Sequence, residues 1–473
     1  MRLHGKIAST LLVSIALLTS GCGGSPGGSS TSTPPSTPST ANEWTWEGGS
    51  STVGASGVYG TLGVASTSNV PGARESSTSW TDANGNLWLF GGYVLSSAAY
   101  FNDLWEFSPT TKTWTWASGS SSVNASGVYG TQGVAASTNV PGARYGAANW
   151  TDGSGNFWLF GGYGTFFYAA GNQSLTTYFN DLWEFNPSAK TWTWVSGASG
   201  GNSTLPVYGT QGVAAATNIP GGRYGAVSWI DGSGNLWLFG GYGTFSTGGN
   251  GSLNDLWEFN FANKTWTWVS GASTNGQMGV YGTQGIAAST NVPGARYGAA
   301  NWTDGSGNLW LFGGYGNGSL NQVVGYLNDL WEFNPIAKTW TWVSGSNSIN
   351  ASGVYGTLGV AAATNVPGGR NGAVSWTDGS GNFWLFGGGS YLNDLWEFNT
   401  TGKTWTWVNG SNSINSSGVY GTLGVAAATN VPGGRSNAVR WMDTSGNLWI
   451  FGGLGFDSTG TAGDINNLWR YQP

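Results

Sequence analysis

Short apolar or alternating segments recur along the chain, and Gly, Asn, Asp and Pro separate them. The repeated unit has a fixed order of segments, whose commonest forms are an "R…W" segment, a "T-D-G-S-G-N" turn, "LWLFGG", a variable loop, "NDLWEF", an "N-P-x-x-K" turn and "TWTW". Such segments, bounded by turn residues, are typical of β-strands, and Gly-containing turns supply the positive φ angles that tight hairpins need. No stretch has a sustained helical period. The pattern therefore predicts four short antiparallel strands in each unit.

The unit occurs six times. "FGG" stands at 90–92, 160–162, 239–241, 312–314, 386–388 and 451–453. Each unit uses five Trp, which accounts for all 30 Trp of the chain and indicates that they pack the core rather than bind a ligand. Four-stranded sheets repeated around an axis form a β-propeller. The sequence therefore predicts an all-β fold: a six-bladed propeller with four antiparallel strands per blade.

The two ends of the repeated region are complementary. The region begins with a lone "EWTW" (43–46) and ends with "NLWRYQP" (467–473), so the first segment is a fourth strand and the last unit lacks one. We expect the N-terminal strand to pair with the last blade and close the ring, because this leaves no open edge. In a hairpin that sets Trp105 opposite Trp114, Glu106 lies opposite Thr113. Arg470 and Glu43 stand at these two positions in the last blade, so we expect them to be cross-strand partners.

The repeat resembles the Kelch family over residues 43–473. In that family a Gly-Gly pair closes the second strand, and an aromatic residue, six residues and a Trp follow. Here Gly91-Gly92 is followed by Phe107 and Trp114. The resemblance implies the propeller fold and leaves the function open. Galactose oxidase shares this propeller, but its copper site needs two His and a Tyr cross-linked to Cys, and this chain has one His and one Cys. Galactose oxidase activity is therefore rejected.

The first 42 residues predict export and anchoring. Residues 1–21 have a charged start and a short apolar stretch, as in a signal peptide. "LTSGC", which ends at Cys22, resembles the lipobox of bacterial lipoproteins, and this implies a lipidated Cys22 and sorting to the outer membrane or cell surface. Residues 22–42 then form a Gly/Ser/Thr/Pro tether. An ordinary secretory signal is the alternative.

The composition argues against most catalytic chemistry. The net charge is −6 without a basic patch, so nucleic acid is not an expected partner. Once His4 is removed with the signal, the body lacks the residues of Ser-His-Asp, Cys-His and most zinc or copper sites. The repeated "DGSGN" offers one carboxylate per turn, too few for calcium. We expect no cofactor, no metal and no catalytic residues. Glu75 and Asp464 lie outside the repeat pattern, but nothing in the sequence pairs them.

Two features favour one face of the propeller as a binding surface. The Arg of "P-G-x-R" enters the innermost strand of each blade, which predicts a ring formed by Arg74, Arg144, Arg223, Arg296, Arg370 and Arg435. Pairing of each Arg with a repeated Asp is the alternative. In three blades the next residue is Tyr145, Tyr224 or Tyr297. A long aromatic loop (163–179) contains Phe166, Phe167 and Tyr168, and this loop either binds a ligand or folds over its own blade.

These observations predict a monomeric, lipid-anchored binding or scaffold module in the bacterial cell envelope. It would recognise a polysaccharide or a protein through one propeller face. A propeller enzyme that acts on sugars without His or metal, for example in anomer interconversion, is one alternative. A structural surface protein is the other.

Overall fold

The computed structural model of the protein describes residues 41–168, 173–200, 205–320 and 323–473, with only the backbone at 167, 168, 173 and 174. The predicted signal peptide, Cys22 and nearly all of the tether lie outside these residues. All regular elements in the described ranges are β-strands. No helix in these ranges is long and apolar enough to cross a membrane. The fold is therefore all-β, as the sequence predicts.

The strands are short and follow the repeated motifs. In chain order they are β1 (Glu43–Gly48), β2 (Thr78–Thr81), β3 (Leu87–Val94), β4 (Ala99–Ser108), β5 (Thr113–Ser118), β6 (Arg144–Tyr145), β7 (Ala148–Thr151), β8 (Phe157–Phe160), β9 (Tyr163–Tyr168), β10 (Gln173–Tyr178), β11 (Leu182–Asn186), β12 (Thr191–Ser196), β13 (Arg223–Tyr224), β14 (Val227–Ile230), β15 (Leu236–Thr244), β16 (Asn250–Asn260), β17 (Thr265–Ser270), β18 (Arg296–Tyr297), β19 (Ala300–Thr303), β20 (Leu309–Asn317), β21 (Val324–Asn334), β22 (Thr339–Ser344), β23 (Val374–Thr377), β24 (Phe383–Gly388), β25 (Leu392–Asn399), β26 (Thr404–Asn409), β27 (Arg435–Ser436), β28 (Val439–Met442), β29 (Leu448–Phe451), β30 (Leu454–Phe456), β31 (Ala462–Asp464) and β32 (Leu468–Gln472).

Each repeat contributes a four-stranded antiparallel sheet, and we number the sheets along the chain. Sheet 1 contains β2–β5, sheet 2 β7, β8, β11 and β12, sheet 3 β14–β17, sheet 4 β19–β22, sheet 5 β23–β26, and sheet 6 β28, β29, β32 and β1. The short strands β6, β13, β18 and β27 carry four of the six "P-G-x-R" arginines and pair beyond the Gly-Gly of their own repeat. These short pairings place the arginines at the end of the sheet remote from the "DGSGN" turn.

The apolar core lies between consecutive sheets. Between sheets 1 and 2, for example, Trp80 stacks on Phe157 with ring centroids 5.3 Å apart, in a cluster that also contains Trp88 and Trp183. Equivalent clusters join sheets 2 and 3, 3 and 4, 4 and 5, 5 and 6, and 6 and 1. Four of the five Trp in each unit are buried, and this confirms the packing role that the Trp count predicts.

A series of backbone hydrogen bonds also links the sheets at their inner strands. The residue two positions after each arginine has a positive φ between 54° and 65°, and it donates its N–H to the equivalent carbonyl of a neighbouring repeat at 2.8 Å. The donor–acceptor pairs are Gly146–Ser76, Gly225–Gly146, Gly298–Gly225, Gly372–Gly298, Asn437–Gly372 and Ser76–Asn437. The series begins and ends at Ser76. Gly stands at four of these positions because it adopts a positive φ without steric cost.

The N-terminal strand belongs to the last sheet. β1 pairs antiparallel with β32, with Trp46 opposite Trp469, and the Trp44 side chain is fully buried between sheets 5 and 6. The Trp44 carbonyl also accepts a hydrogen bond from Asn430 Nδ2 at 3.0 Å. Sheet 6 is therefore built from both ends of the repeated region.

The charge contact of β1 differs from the predicted one. Arg470 lies opposite Thr45, so its partnership with Glu43 is wrong. Instead, Arg470 Nε donates to Glu47 at 2.7 Å. Glu47 also accepts a hydrogen bond from Lys112 Nζ of sheet 1 at 2.6 Å. One buried carboxylate thus links sheet 6 to sheet 1.

The outer hairpins are also in a different register. Trp105 lies opposite Trp116, and Phe107 lies opposite Trp114. The turn between β4 and β5 is longer than the predicted register allows, because Lys112 has a left-handed φ of 54° and donates its N–H to Ser108 O at 2.8 Å. The added turn residues shift the register by two positions.

The long connection before each sheet covers the edge of that sheet's outermost strand. In sheet 1, Gly63 N and Ser66 N donate to the carbonyls of Trp116 and Trp114 at 2.8 and 3.1 Å, and Asn69 Nδ2 donates to Trp114 O at 3.0 Å. A covered edge cannot pair with another chain. The uniformity of these connections therefore has a structural cause.

Candidate functional site

The "P-G-x-R" arginines lie inside the protein. Arg74 is fully buried, and its two terminal nitrogens donate to the two carboxylate oxygens of Asp103 at 2.6 and 2.8 Å. Its Nε and Nη1 also donate to the carbonyls of Gly72 and Gly91, each at 3.0 Å. Four further units contain the same buried bidentate ion pair: Arg144–Asp181, Arg223–Asp255, Arg296–Asp329 and Arg370–Asp394.

This geometry corrects the prediction that the arginines form a ligand-binding ring. Burial removes the guanidinium groups from solvent, and the bidentate pairs use the N–H groups that would otherwise hold an anionic ligand. For five of the six arginines the structure instead shows the alternative, a pair with the Asp of the same unit. The correction applies to Arg74, Arg144, Arg223, Arg296, Arg370 and Arg435, all of which are at most 1% exposed.

Each of these Asp residues is also the acceptor for two aromatic side chains. Asp103 accepts the Trp105 indole N–H at 2.8 Å and the Tyr59 hydroxyl at 2.6 Å. Burial, followed by the negative charge of Asp103, raises the pKa of Tyr59 above its ordinary value. Tyr59 belongs to the repeated "GVYGT", so the long connection is tied to the ion pair beneath it.

The sixth unit departs from this arrangement. Asn467 stands in place of Asp, and its Oδ1 accepts one hydrogen bond from Arg435 Nη1 at 2.6 Å. Arg435 Nη2 is buried and has no hydrogen-bond partner in the part of the chain that the structure describes. Burial without a carboxylate lowers the pKa of Arg435 to about 10. This is a buried cation without a balancing charge, which is costly.

The tyrosines predicted at the ligand site are partly exposed, whereas the arginines are buried. Tyr145, Tyr224 and Tyr297, predicted at the ligand site, lie in a row with ring centroids 5.3 and 5.7 Å apart. They belong to a chain of tyrosines in which contacting rings are 4.8–6.2 Å apart, within the range of favourable aromatic pairs. We call this set the tyrosine face: Tyr93, Tyr100, Tyr145, Tyr163, Tyr178, Tyr224, Tyr242, Tyr297, Tyr315 and Tyr326.

Sequence reasoning named three of these ten residues and included Tyr163 and Tyr178 in the predicted aromatic loop, but it missed the other five. Three of the missed residues, such as Tyr93, follow the Gly-Gly pair, and two, such as Tyr100, stand near the start of the third strand. Pairing of Tyr93 with Tyr100 brings the two groups together. The repeated "GGY" was the available signal. Nine of the ten residues are half-buried, so these nine keep some contact with solvent. Burial raises the pKa of Tyr100 and Tyr178 to about 12, which keeps these hydroxyls neutral.

The aromatic loop at 163–179 is largely a β-hairpin. β9 pairs with β10, with Tyr163 opposite Tyr178, and these two rings join the tyrosine face at a centroid distance of 4.8 Å. The predicted ligand residue Phe166 is half-buried in β9. The side chains of Phe167 and Tyr168 lie outside the described residues. The base of this segment therefore extends the tyrosine face.

Two acids meet at the place where the tyrosine face is interrupted. Glu75 occupies the position that Tyr145 has in the second repeat, and its backbone exchanges two hydrogen bonds with Tyr93. Glu75 is 7% exposed and Asp464 is 4% exposed. Burial, with the nearby charge of Asp464, raises the pKa of Glu75 to about 7, although a hydrogen bond from Asn437 opposes this shift. Burial also raises the pKa of Asp464.

The raised pKa of Glu75 makes stability depend on pH. Between the ordinary pKa of 4.5 and about 7 the folded state holds a proton that the unfolded state has lost, so the free energy of unfolding falls as pH rises through this window. At pH 8 the ionisation of buried Glu75 lowers the free energy of unfolding by about 3 kcal/mol. Urea unfolding at pH 4.5 and pH 8 should show a larger fall for the natural protein than for Glu75→Gln. Equal falls in the two proteins would contradict this assignment.

The repeated turn Asp has a structural role. Asp82 Oδ1 accepts the backbone N–H groups of Asn84 and Asn86 at 2.9 Å, and its Oδ2 accepts the Trp88 indole N–H at 3.0 Å. These bonds explain why the repeated turn, which reads "DANGN" at Asp82 and "DGSGN" in four other units, needs one carboxylate. Among the described residues, no group of three or more His, Cys, Asp or Glu is arranged to hold a metal ion.

The comparisons with known proteins agree with the all-strand fold. A family model described as the KLHDC2/KLHL20/DRC7 Kelch-repeats domain matches residues 209–361, which contain sheets 3 and 4. No curated protein shows significant sequence similarity to the chain. Residues 209–361 are therefore similar to a Kelch-repeat domain, and such a domain suggests a protein-interaction or scaffold module.

Proposed function

We propose that residues 43–473 form a six-bladed Kelch-type propeller that β1 closes. Three observations support the proposal: the pairing of β1 with β32, the apolar cluster between sheets 6 and 1, and the series of hydrogen bonds that returns to Ser76. A closed ring positions the tyrosines of successive sheets around one axis, on one face.

We propose that the protein is a non-enzymatic interaction module in the bacterial envelope, tethered through Cys22, and that it holds a partner protein against the tyrosine face. The observation that supports this proposal most directly is the tyrosine face. Tyr is enriched at protein interfaces because it offers a large, rigid contact area with a polar hydroxyl. The accessible groups there are neutral phenols, and the neighbouring arginines are buried, so this surface suits a neutral or cationic partner.

A polysaccharide is the second candidate partner. Phenol rings can stack on sugar rings while their hydroxyl groups bind the sugar hydroxyls. The contiguous row formed by Tyr145, Tyr224 and Tyr297 favours this candidate, because an extended chain could pass over several rings in succession.

The test compares two variants of the full-length protein on arrays of peptides and glycans. Tyr145→Ser combined with Tyr224→Ser removes the centre of the tyrosine face and should weaken binding at least about tenfold, since central aromatic residues dominate interface energies. Ile336→Ser is the matched control, because Ile336 is 94% exposed in the "NPIAK" turn at the opposite end of sheet 4. Unchanged binding by the tyrosine variant would overturn the proposal, and binding to glycans alone would establish the second candidate.

A further inference from the structure

We propose that Glu75 and Asp464, with Tyr93 and Tyr391, form a site for one organic cation, the guanidinium or ammonium group of an Arg or Lys side chain on the partner protein. The proposal rests on the interaction function proposed above and names the chemistry that this part of the face recognises.

The first observation is the position of the two acids. Asp464 in β31 lies opposite Leu454, the position at which sheet 1 has Tyr100 opposite Tyr93. Arg74 N donates to Ile465 O at 3.2 Å. Since Glu75 follows Arg74 and Asp464 precedes Ile465, this hydrogen bond joins the two segments that carry the acids. Both acids therefore stand where other sheets carry tyrosines of the face.

The second observation is an unused buried carboxylate oxygen. Asp464 Oδ2 accepts the Leu95 N–H at 3.0 Å, and the backbone N–H groups of Ser96 and of Asp464 itself also stabilise this carboxylate. Among the described residues, Oδ1 is buried without a hydrogen-bond partner of normal geometry. Glu75 Oε2 accepts Asn437 Nδ2 at 2.8 Å. Among the described residues, neither carboxyl group forms an ion pair. A buried carboxylate without a counter-charge is costly, and a bound cation would remove this cost.

The surroundings select the kind of cation. Glu75 and Asp464 both interact electrostatically with Tyr93 and with Tyr391, a half-buried residue that directly precedes β25. Glu75 also interacts electrostatically with Tyr145. These are the titratable groups that face Glu75, and the described part of the site contains no cation. Two carboxylates fall short of the six to eight oxygens that calcium takes. Phenol faces attract organic cations, and a guanidinium group can donate to both acids at once.

The probes are arginine amide and its neutral isostere citrulline amide, titrated by calorimetry into the full-length protein at pH 8 and 0.15 M salt. Arginine amide should bind, and citrulline amide should bind at least about tenfold more weakly. Glu75→Gln and, separately, Asp464→Asn should each reduce the affinity for arginine amide about tenfold. At pH 5.5 binding should weaken, because Glu75 is then largely protonated.

Glu106→Gln is the control for overall charge. Glu106 is half-buried, lies at the far end of sheet 1 and pairs with Lys190 at 3.7 Å, so its loss should leave the affinity unchanged. Circular dichroism establishes that each variant is folded, and Glu75→Gln alone tests the site if Asp464→Asn does not fold. Equal binding of the two probes, or equal losses in all three variants, would overturn the proposal.

This experiment separates the cation site from the wider proposal. If arginine amide does not bind but the tyrosine variant loses its array partner, the tyrosine face is an interaction surface and the cation site is wrong. If arginine amide binds through Glu75 while the tyrosine variant keeps every array partner, the site is correct and the role of the tyrosine face is wrong.

Discussion

Removal of residues 1–48 is expected to destabilise the protein severely, whereas removal of residues 1–40 is expected to have little effect. The longer deletion removes β1, and with it Trp44, which is fully buried. Loss of a buried Trp side chain alone costs about 3–5 kcal/mol. Lost ladder bonds to β32 and the loss of Glu47, which links Arg470 to Lys112, add to this cost.

The deletion also exposes the edge of β32. An unpaired edge strand can associate with other chains, so light scattering should show association of the 49–473 fragment that increases with concentration. Urea unfolding, followed by Trp fluorescence, provides the stability measurement. A synthetic peptide of residues 41–48 should restore part of the lost stability when added in excess. Identical unfolding midpoints for the two deletions would mean that β1 does not stabilise sheet 6.

The strands could be predicted from the sequence because their pattern is local. Alternation in "LWLFGG" and "NDLWEF", with Gly and Asp at the turns, specifies which residues face a neighbouring sheet. The register of the outer hairpins could not be predicted in the same way. It depends on the left-handed conformation of Lys112, and Lys rarely adopts this conformation.

The site was harder to predict because its contacts join residues that are far apart in the chain. Arg223 and Asp255 are both repeated, and either could have faced solvent; only the fold shows that they face each other. The replacement of Asp by Asn467 was visible in the sequence, but its meaning depends on Arg435 lying beside it. Similarly, Glu75 and Asp464 appear unpaired in the sequence because almost the whole repeated region separates them.

Asp255→Asn is expected to destabilise the protein by about 3 kcal/mol, because it leaves Arg223 buried without a counter-charge. In the natural protein burial acts to lower the pKa of Arg223, but Asp255 more than offsets this effect and the pKa is raised. Asn at this position reproduces the surroundings of Arg435, whose pKa falls to about 10. Glu258→Gln, a half-buried acid in the same strand, should change stability by less than about 1 kcal/mol.

The reciprocal change in sheet 6, Asn467→Asp, is expected to have the opposite effect on stability. Asn467→Asp should stabilise the protein by about 1–3 kcal/mol, because Arg435 Nη2, which is buried without a partner, gains a carboxylate oxygen at the position that the other five sheets already use. The Tyr420 hydroxyl, which now accepts from Asn467 Nδ2, can turn to donate, as Tyr59 does to Asp103. Differential scanning calorimetry of the two variants should show shifts of opposite sign. A loss of stability on Asn467→Asp would mean that the asymmetry is required at the sheet where both ends of the repeated region meet.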